Sequence, residues 1–129
     1  MQITASAVSL TVDDVPASSA FLSSYLGFTE RMSADGFASL SRDDSAMSVV
    51  LLRRGIDVLP EDVRHRHAAG VIVAFVVTDL DAEEARLRDE GAPITMPLRE
   101  EPWGERLLQV TDPNGVVYEL VEWVESTGR

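Results

Sequence analysis

Apolar and polar residues alternate from Ala5 to Val12, with Val8, Leu10 and Val12 on one side, a pattern that predicts a strand buried on one face. Asp13-Asp14 then offers a helix N-cap, and Pro16 sits where a first helical turn tolerates it. Phe21 with Tyr25 and Leu22 with Leu26 recur at helical spacing, and Gly27 closes the helix. Short strand-like pieces follow at 28–32, 37–41 and 47–52, divided by the polar turns Ala34-Asp35-Gly36 and Asp43-Asp44-Ser45.

The same order then returns. Residues 71–77 read as a strand, Asp79 to Asp81 as a cap, and Glu84 as the partner of Asp81 in a capping box. Ala82, Ala85 and Leu87 mark a short helix ending at Gly91, and strands are expected at 94–98, 106–111 and 116–124. Asp112-Pro113-Asn114-Gly115 is a strong turn between the last two. Val12 corresponds to Val77, Gly27 to Gly91 and Asp43 to Asp112, at nearly constant offset. The chain is therefore one domain, 1–129, built from two β-α-β-β-β modules at about 4–54 and 70–124, with a linker at 55–69. The expected class is α+β. Each helix covers one face of its strands, so two modules should form a curved mixed sheet of eight strands, helices outside and a cleft inside.

Composition narrows the chemistry. The 129 residues include no cysteine and no lysine, which removes disulfides, thiol nucleophiles and Schiff-base amines. Only two histidines are present, His65 and His67, in a polar stretch whose arginines oppose a bound cation; they read as part of a solvated linker. Eleven basic residues stand against 22 acidic ones, and a net charge of −11 argues against nucleic acid or an anionic membrane as a partner. No apolar run approaches the roughly 20 residues of a membrane span, and no export signal is visible at the N-terminus, so a cytoplasmic protein is expected. The tail, 125–129, is expected to fray.

Three stretches carry a family resemblance: Val8-Ser9-Leu10-Thr11-Val12-Asp13-Asp14, Tyr25-Leu26-Gly27-Phe28, and Asp112-Pro113-Asn114-Gly115-Val116-Val117-Tyr118-Glu119-Leu120. In this order and on this repeat they resemble the vicinal-oxygen-chelate superfamily of glyoxalases, bleomycin resistance proteins and extradiol dioxygenases. Enzymes of that group hold a divalent metal on the first and last strands of each module. The resemblance places the first-strand ligands seven residues before each cap aspartate, at Ala7 and Ile72, and the last-strand ligands at Val50 and Glu119. Glu119 alone can donate to a metal, and one carboxylate binds a divalent ion weakly. No metal and no cofactor is expected.

Ala7, Val50 and Ile72 instead suggest an apolar cleft floor, continued at spacing two by Ala5, Ser9, Ser48, Leu52, Ala74, Val76 and Val117. Such a lining suits a bulky hydrophobic or aromatic guest. The Trp103-Gly104 pair is similar to one at the pocket mouth in the antibiotic-binding branch of the superfamily, where Trp103 would stack on a planar guest. Arg106 could bond a carbonyl or stack, and Phe37 and Met47 could add aromatic and thioether contacts. Glu119, amid apolar residues, needs a partner: a cationic ligand group, or Arg106 or another arginine across the sheet. Trp123 reads as a core or dimer-contact residue.

The expected function is thus metal-free sequestration of a hydrophobic or aromatic natural product, conferring antibiotic or toxin resistance, by a homodimer. Two alternatives stand beside it. One is a metal-dependent glyoxalase-like lyase, isomerase or dioxygenase with a rearranged site using Glu119 and the two histidines. The other is a structural or regulatory module whose cleft is filled by its own side chains.

Overall fold

A computed structural model describes residues 1–124. Two compact units make up the chain, the first Met1–Ala69 and the second beginning at Gly70. In the first, β1 (Ser6–Val12) leads to α1 (Val15–Leu26), then β2 (Thr29–Ala34), β3 (Phe37–Ser41) and β4 (Met47–Arg53). The second repeats the order with β5 (Ile72–Val76), α2 (Leu80–Asp89), β6 (Ile94–Glu100), β7 (Glu105–Thr111) and β8 (Val117–Trp123). Each unit is a four-stranded mixed sheet, ordered β1-β4-β3-β2 in one and β5-β8-β7-β6 in the other. The first and last strands of each unit run parallel, and the remaining pairs are antiparallel. The expected β-α-β-β-β repeat is present in both. The expected fraying of 125–129 concerns residues outside those described. Among the described residues no helix is long and apolar enough to cross a membrane.

Local chemistry explains the helix ends. The Asp14 carboxylate accepts from Ala17 N at 3.1 Å, with Pro16 in the first turn, and Gly27 at φ 69° ends α1 in the left-handed region that glycine enters without strain. Phe21 and Tyr25 meet edge to face with ring centroids 5.2 Å apart. The cap of α2 departs from expectation. Asp79, not Asp81, accepts from Ala82 N at 3.2 Å, and Glu84 accepts from Leu98 N at 3.1 Å, tying α2 to β6 instead of closing a capping box. Asp81 is free of the cap because it meets Arg106.

The turn before β8 is fixed by a buried side chain. Asp112 Oδ1 accepts from Asn114 N at 2.8 Å and Val116 N at 2.9 Å, and Gly115 takes φ 84°. Pro97 lies in β6, an edge strand, where its missing N–H costs no interior ladder bond.

Each helix covers one face of its own sheet. Leu10, Val12, Leu40, Val49 and Leu51 of the sheet are buried in the first core with Leu22 and Leu26 of α1, which packs against β2, β3 and β4. Leu108, Val110, Tyr118 and Leu120 are buried with Leu80 and Leu87 of α2 in the second, where α2 packs against β6, β7 and β8. Burial and the nearby Asp112 carboxylate push the Tyr118 phenol well above its ordinary value.

Residues 55–69 differ from the linker expected. Gly55 N donates to Arg64 O at 2.8 Å, Ala68 N to Thr11 O at 2.8 Å, and the Arg64 guanidinium to Leu59 O; Leu59 is buried. The Asp13 carboxylate gathers His67 Nε2 and Arg54 Nε, the latter at 2.9 Å. The segment is thus folded back onto the first unit, because a long-range ion cluster offsets its polar composition. The His67 hydrogen bond, helped by Arg54, holds the Asp13 carboxyl below its ordinary value of 3.8. A carboxyl depressed in this way supports the folded loop above its ordinary value and ceases to do so as the pH falls through the depressed one. The protection factor of the Ala68 amide, measured by hydrogen exchange, is expected to hold at neutral pH and to fall below about pH 3.8. Asp13→Asn should lower it at neutral pH; an unchanged protection factor in that variant contradicts the account.

Candidate functional site

Strand pairing sorts the side chains of each sheet into two rows, because paired residues point to the same face. In the first unit Ala7 pairs with Ser48, Ser9 with Val50 and Thr11 with Leu52, and β3 continues the row with Ser39 opposite Val50 and Phe37 opposite Leu52. This row lies on the face that α1 does not cover. Ala7 and Ser9 are exposed, while Ser48, Val50 and Leu52 are half-buried. Ala5 is exposed but precedes β1.

The second unit has the equivalent row. Ile72 pairs with Val117, Ala74 with Glu119 and Val76 with Val121, and β7 continues with Thr111, Gln109 and Leu107. Ile72 is 54% exposed and Val76 68%, unusual values for aliphatic residues in a strand. Val50 and Glu119 occupy corresponding places, each opposite the middle of its unit's first strand.

Two of the expected binding residues stand on the other side. Met47 belongs to the row of Val49 and Leu51, facing α1. Arg106 faces α2, where its guanidinium meets Glu122 at 2.8 Å and Asp81 at 3.1 Å. The ion pair with Asp81 contributes most to raising the Arg106 pKa above its ordinary value. Arg106 is therefore not the partner of Glu119. That carboxylate, 9% exposed, accepts instead from Gln109 Nε2 at 2.8 Å. Sequence reading passed over Gln109, although its spacing from Leu107 and Thr111 was a signal for the same row.

Trp103 is 66% exposed in the turn between β6 and β7. Its Nε1 donates to Glu105 Oε1 at 2.9 Å, and Glu105 begins the row that runs through Leu107 and Gln109. Trp123, opposite Glu105, is half-buried. A groove of about 840 Å³ lies elsewhere, between α1 and the β2–β3 hairpin. Pro16, Ser19, Ala20, Glu30 and Arg53 line it, Phe37 borders it, and Ser19 Oγ donates to Glu30 at 2.7 Å.

A divalent metal does not fit this donor set. Ala7, Val50 and Ile72 offer no lone pair, and among the described residues no three His, Asp or Glu side chains gather where one could be held. His67 is tied to Asp13. What each row can do is contact an apolar surface, the second with Glu119 and Gln109 as polar points.

With this geometry in hand, comparison with known proteins is informative. The family model described as the Glyoxalase/Bleomycin resistance protein/Dioxygenase superfamily matches residues 4–120. No curated protein matches the chain by sequence. Among solved structures, a glyoxalase/bleomycin resistance protein/dioxygenase from Nocardioides superposes with a TM-score of 0.75 at 23% identity, covering 98% of this chain and 87% of that one. Lactoylglutathione lyase from Agrobacterium tumefaciens gives 0.72 at 19% identity, with 94% of each chain covered. TioX from Micromonospora sp. ML1 gives 0.70 at 24%, covering 95% of this chain and all of the other. At these identities the likeness is one of fold.

Removing one member of the Gln109–Glu119 pair should cost more than removing both. Gln109→Leu leaves a buried carboxylate without its donor and is expected to destabilise by about 1–3 kcal/mol in urea denaturation. Gln109→Leu/Glu119→Leu should be less destabilised than that single variant. A double variant that loses more than Gln109→Leu alone contradicts the burial and pairing of Glu119.

Proposed function

Given that the chain belongs to the glyoxalase/bleomycin resistance protein/dioxygenase superfamily, we propose that it is a metal-free binding protein that sequesters a bulky hydrophobic or aromatic natural product. The observation that carries this reading is the exposed β5 stretch of the second sheet's row, beside the buried Leu107, Glu119 and Val121 of the same row. Ile72, Ala74 and Val76 present exposed apolar side chains along a strand where the fold's enzymes need ligating ones. Exposed apolar rows of this kind gain free energy when a flat apolar molecule covers them, at roughly 25 cal/mol per Å² removed from water. Trp103, exposed at the end of the adjoining row, offers an aromatic face for stacking. Holding a toxin one-to-one would protect the cell without turnover.

The protein acts in this reading as a homodimer. Each sheet has two edge strands without a neighbour among the described residues, β1 and β2 in one and β5 and β6 in the other, and a symmetric pair is the economical way to cover edges and apolar rows together.

A second reading, a metal-dependent lyase or dioxygenase, draws on Glu119, a buried carboxylate on the uncovered row. It needs further ligands, and Ala7, Val50 and Ile72 supply none.

Two measurements test the proposal. Thermal melting with a panel of planar aromatic compounds should show a concentration-dependent rise for at least one class, about 2.7 kcal/mol of added stability at a hundredfold excess over Kd. Protein purified without chelator should carry no stoichiometric zinc, nickel, manganese or iron. No rise across the panel, or one equivalent of metal lost in Glu119→Ala, overturns the proposal. Sedimentation should give a species of about 28 kDa, twice the 14.1 kDa chain, and a stable monomer at micromolar concentration contradicts the dimer.

A further inference from the structure

Resting on the reading of the uncovered row as the guest-binding face, we propose that the guest carries a protonated nitrogen and that Glu119, positioned by Gln109, is the residue that selects it. Glu119 is 9% exposed, and the side chains flanking it in its row, Val117 and Val121 on its own strand and Ala74 opposite, are apolar. A carboxylate there accepts about four hydrogen bonds when satisfied. Among the described residues a single donor reaches it, Gln109 Nε2 at 2.8 Å on Oε1.

The cations that might have answered it are committed elsewhere in the second unit. Arg106 faces α2 on Glu122 and Asp81, Arg86 spans Glu83 and Glu90 along α2, Arg88 meets Glu84, and Arg99 meets Glu101. Gln109 cannot neutralise the charge; it can only orient it. Because its amide N–H must point at Glu119, its own carbonyl oxygen is left as an acceptor. Apart from the second amide N–H of Gln109, the two side chains together thus present acceptors amid an apolar row.

That arrangement discriminates by charge. An ammonium, guanidinium or protonated ring nitrogen supplies the missing donor and the counter-charge at once. A neutral hydrocarbon would cover Glu119 without pairing it, and an anion would meet like charge. The net charge of −11 reinforces the preference at long range, since it draws cations toward the surface generally. Guests of the expected class are therefore amphipathic amines, apolar in body and cationic at one nitrogen, which lie on Ile72, Ala74 and Val76 with the nitrogen toward Glu119.

The test uses three probes of one ring system: 9-aminoacridine, cationic at neutral pH; acridine, neutral; and acridine-9-carboxylate, anionic. Dissociation constants are measured by fluorescence on the unaltered full chain and on Glu119→Gln. The expected order on the unaltered chain is 9-aminoacridine tighter than acridine by about tenfold or more, with the carboxylate weakest. Glu119→Gln should remove most of the cationic advantage, and acridine, which no longer covers an unpaired carboxylate, should bind at least as tightly as to the unaltered chain. That variant changes the net charge by one in eleven, so a preference that survives it comes from the general surface field and overturns the role of Glu119. Acridine binding as tightly as 9-aminoacridine on the unaltered chain overturns the inference with no variant needed, while leaving guest binding itself standing. Binding of none of the three overturns both.

Discussion

A four-stranded sheet has two faces and each unit of this protein has one helix to cover them. Everything distinctive about the chain follows from that shortage. The face under α1 or α2 becomes a dry core of Leu, Val and Phe residues with Tyr118 at its base in the second unit. On the other face of the second sheet Ile72, Ala74 and Val76 of β5 stay exposed, while Leu107, Glu119 and Val121 of the same row are buried. Apolar residues in such a row are costly to leave in water, and the exposure of Ile72 and Val76 is the basis of the proposed guest site. Polar residues in the same row are informative for the opposite reason. Glu119 is set among apolar neighbours and depends on Gln109.

Most of this architecture was legible from the chain. Val8, Leu10 and Val12 marked the buried side of β1, and Asp14, Pro16 and Gly27 fixed both ends of α1. The Asp112–Gly115 turn and the constant offset between the halves identified the repeat. These features are local, and local chemistry decides them. The corresponding places of Val50 and Glu119 also followed from the repeat alone.

What was not legible depended on packing. Met47 lies in a run, Met47–Leu52, in which nearly every residue is apolar, so alternation cannot say which row faces the helix. Arg106 is followed by Leu107 and Leu108, both buried, with the same ambiguity. The structure resolves it through Asp81 and Glu122, partners far away in sequence. The capping box failed similarly, because Glu84 satisfies Leu98 N and Asp81 satisfies Arg106. Residues 55–69 looked like a linker by composition, and contacts with residues far off in sequence, Ala68 N with Thr11 O and His67 with Asp13, hold them to the first unit.

The central claim is that the β5 row of the second sheet, not the groove between α1 and the β2–β3 hairpin, receives the guest. Titration of a planar aromatic amine into isotopically labelled protein, followed by methyl and amide NMR, tests it directly. Chemical-shift changes are predicted to concentrate at Ile72, Ala74, Val76 and the Gln109 side chain, with the Trp103 indole N–H shifting as well. Changes confined to Pro16, Ala20, Ala34 and their neighbours in the groove, or none at saturating compound, would contradict it.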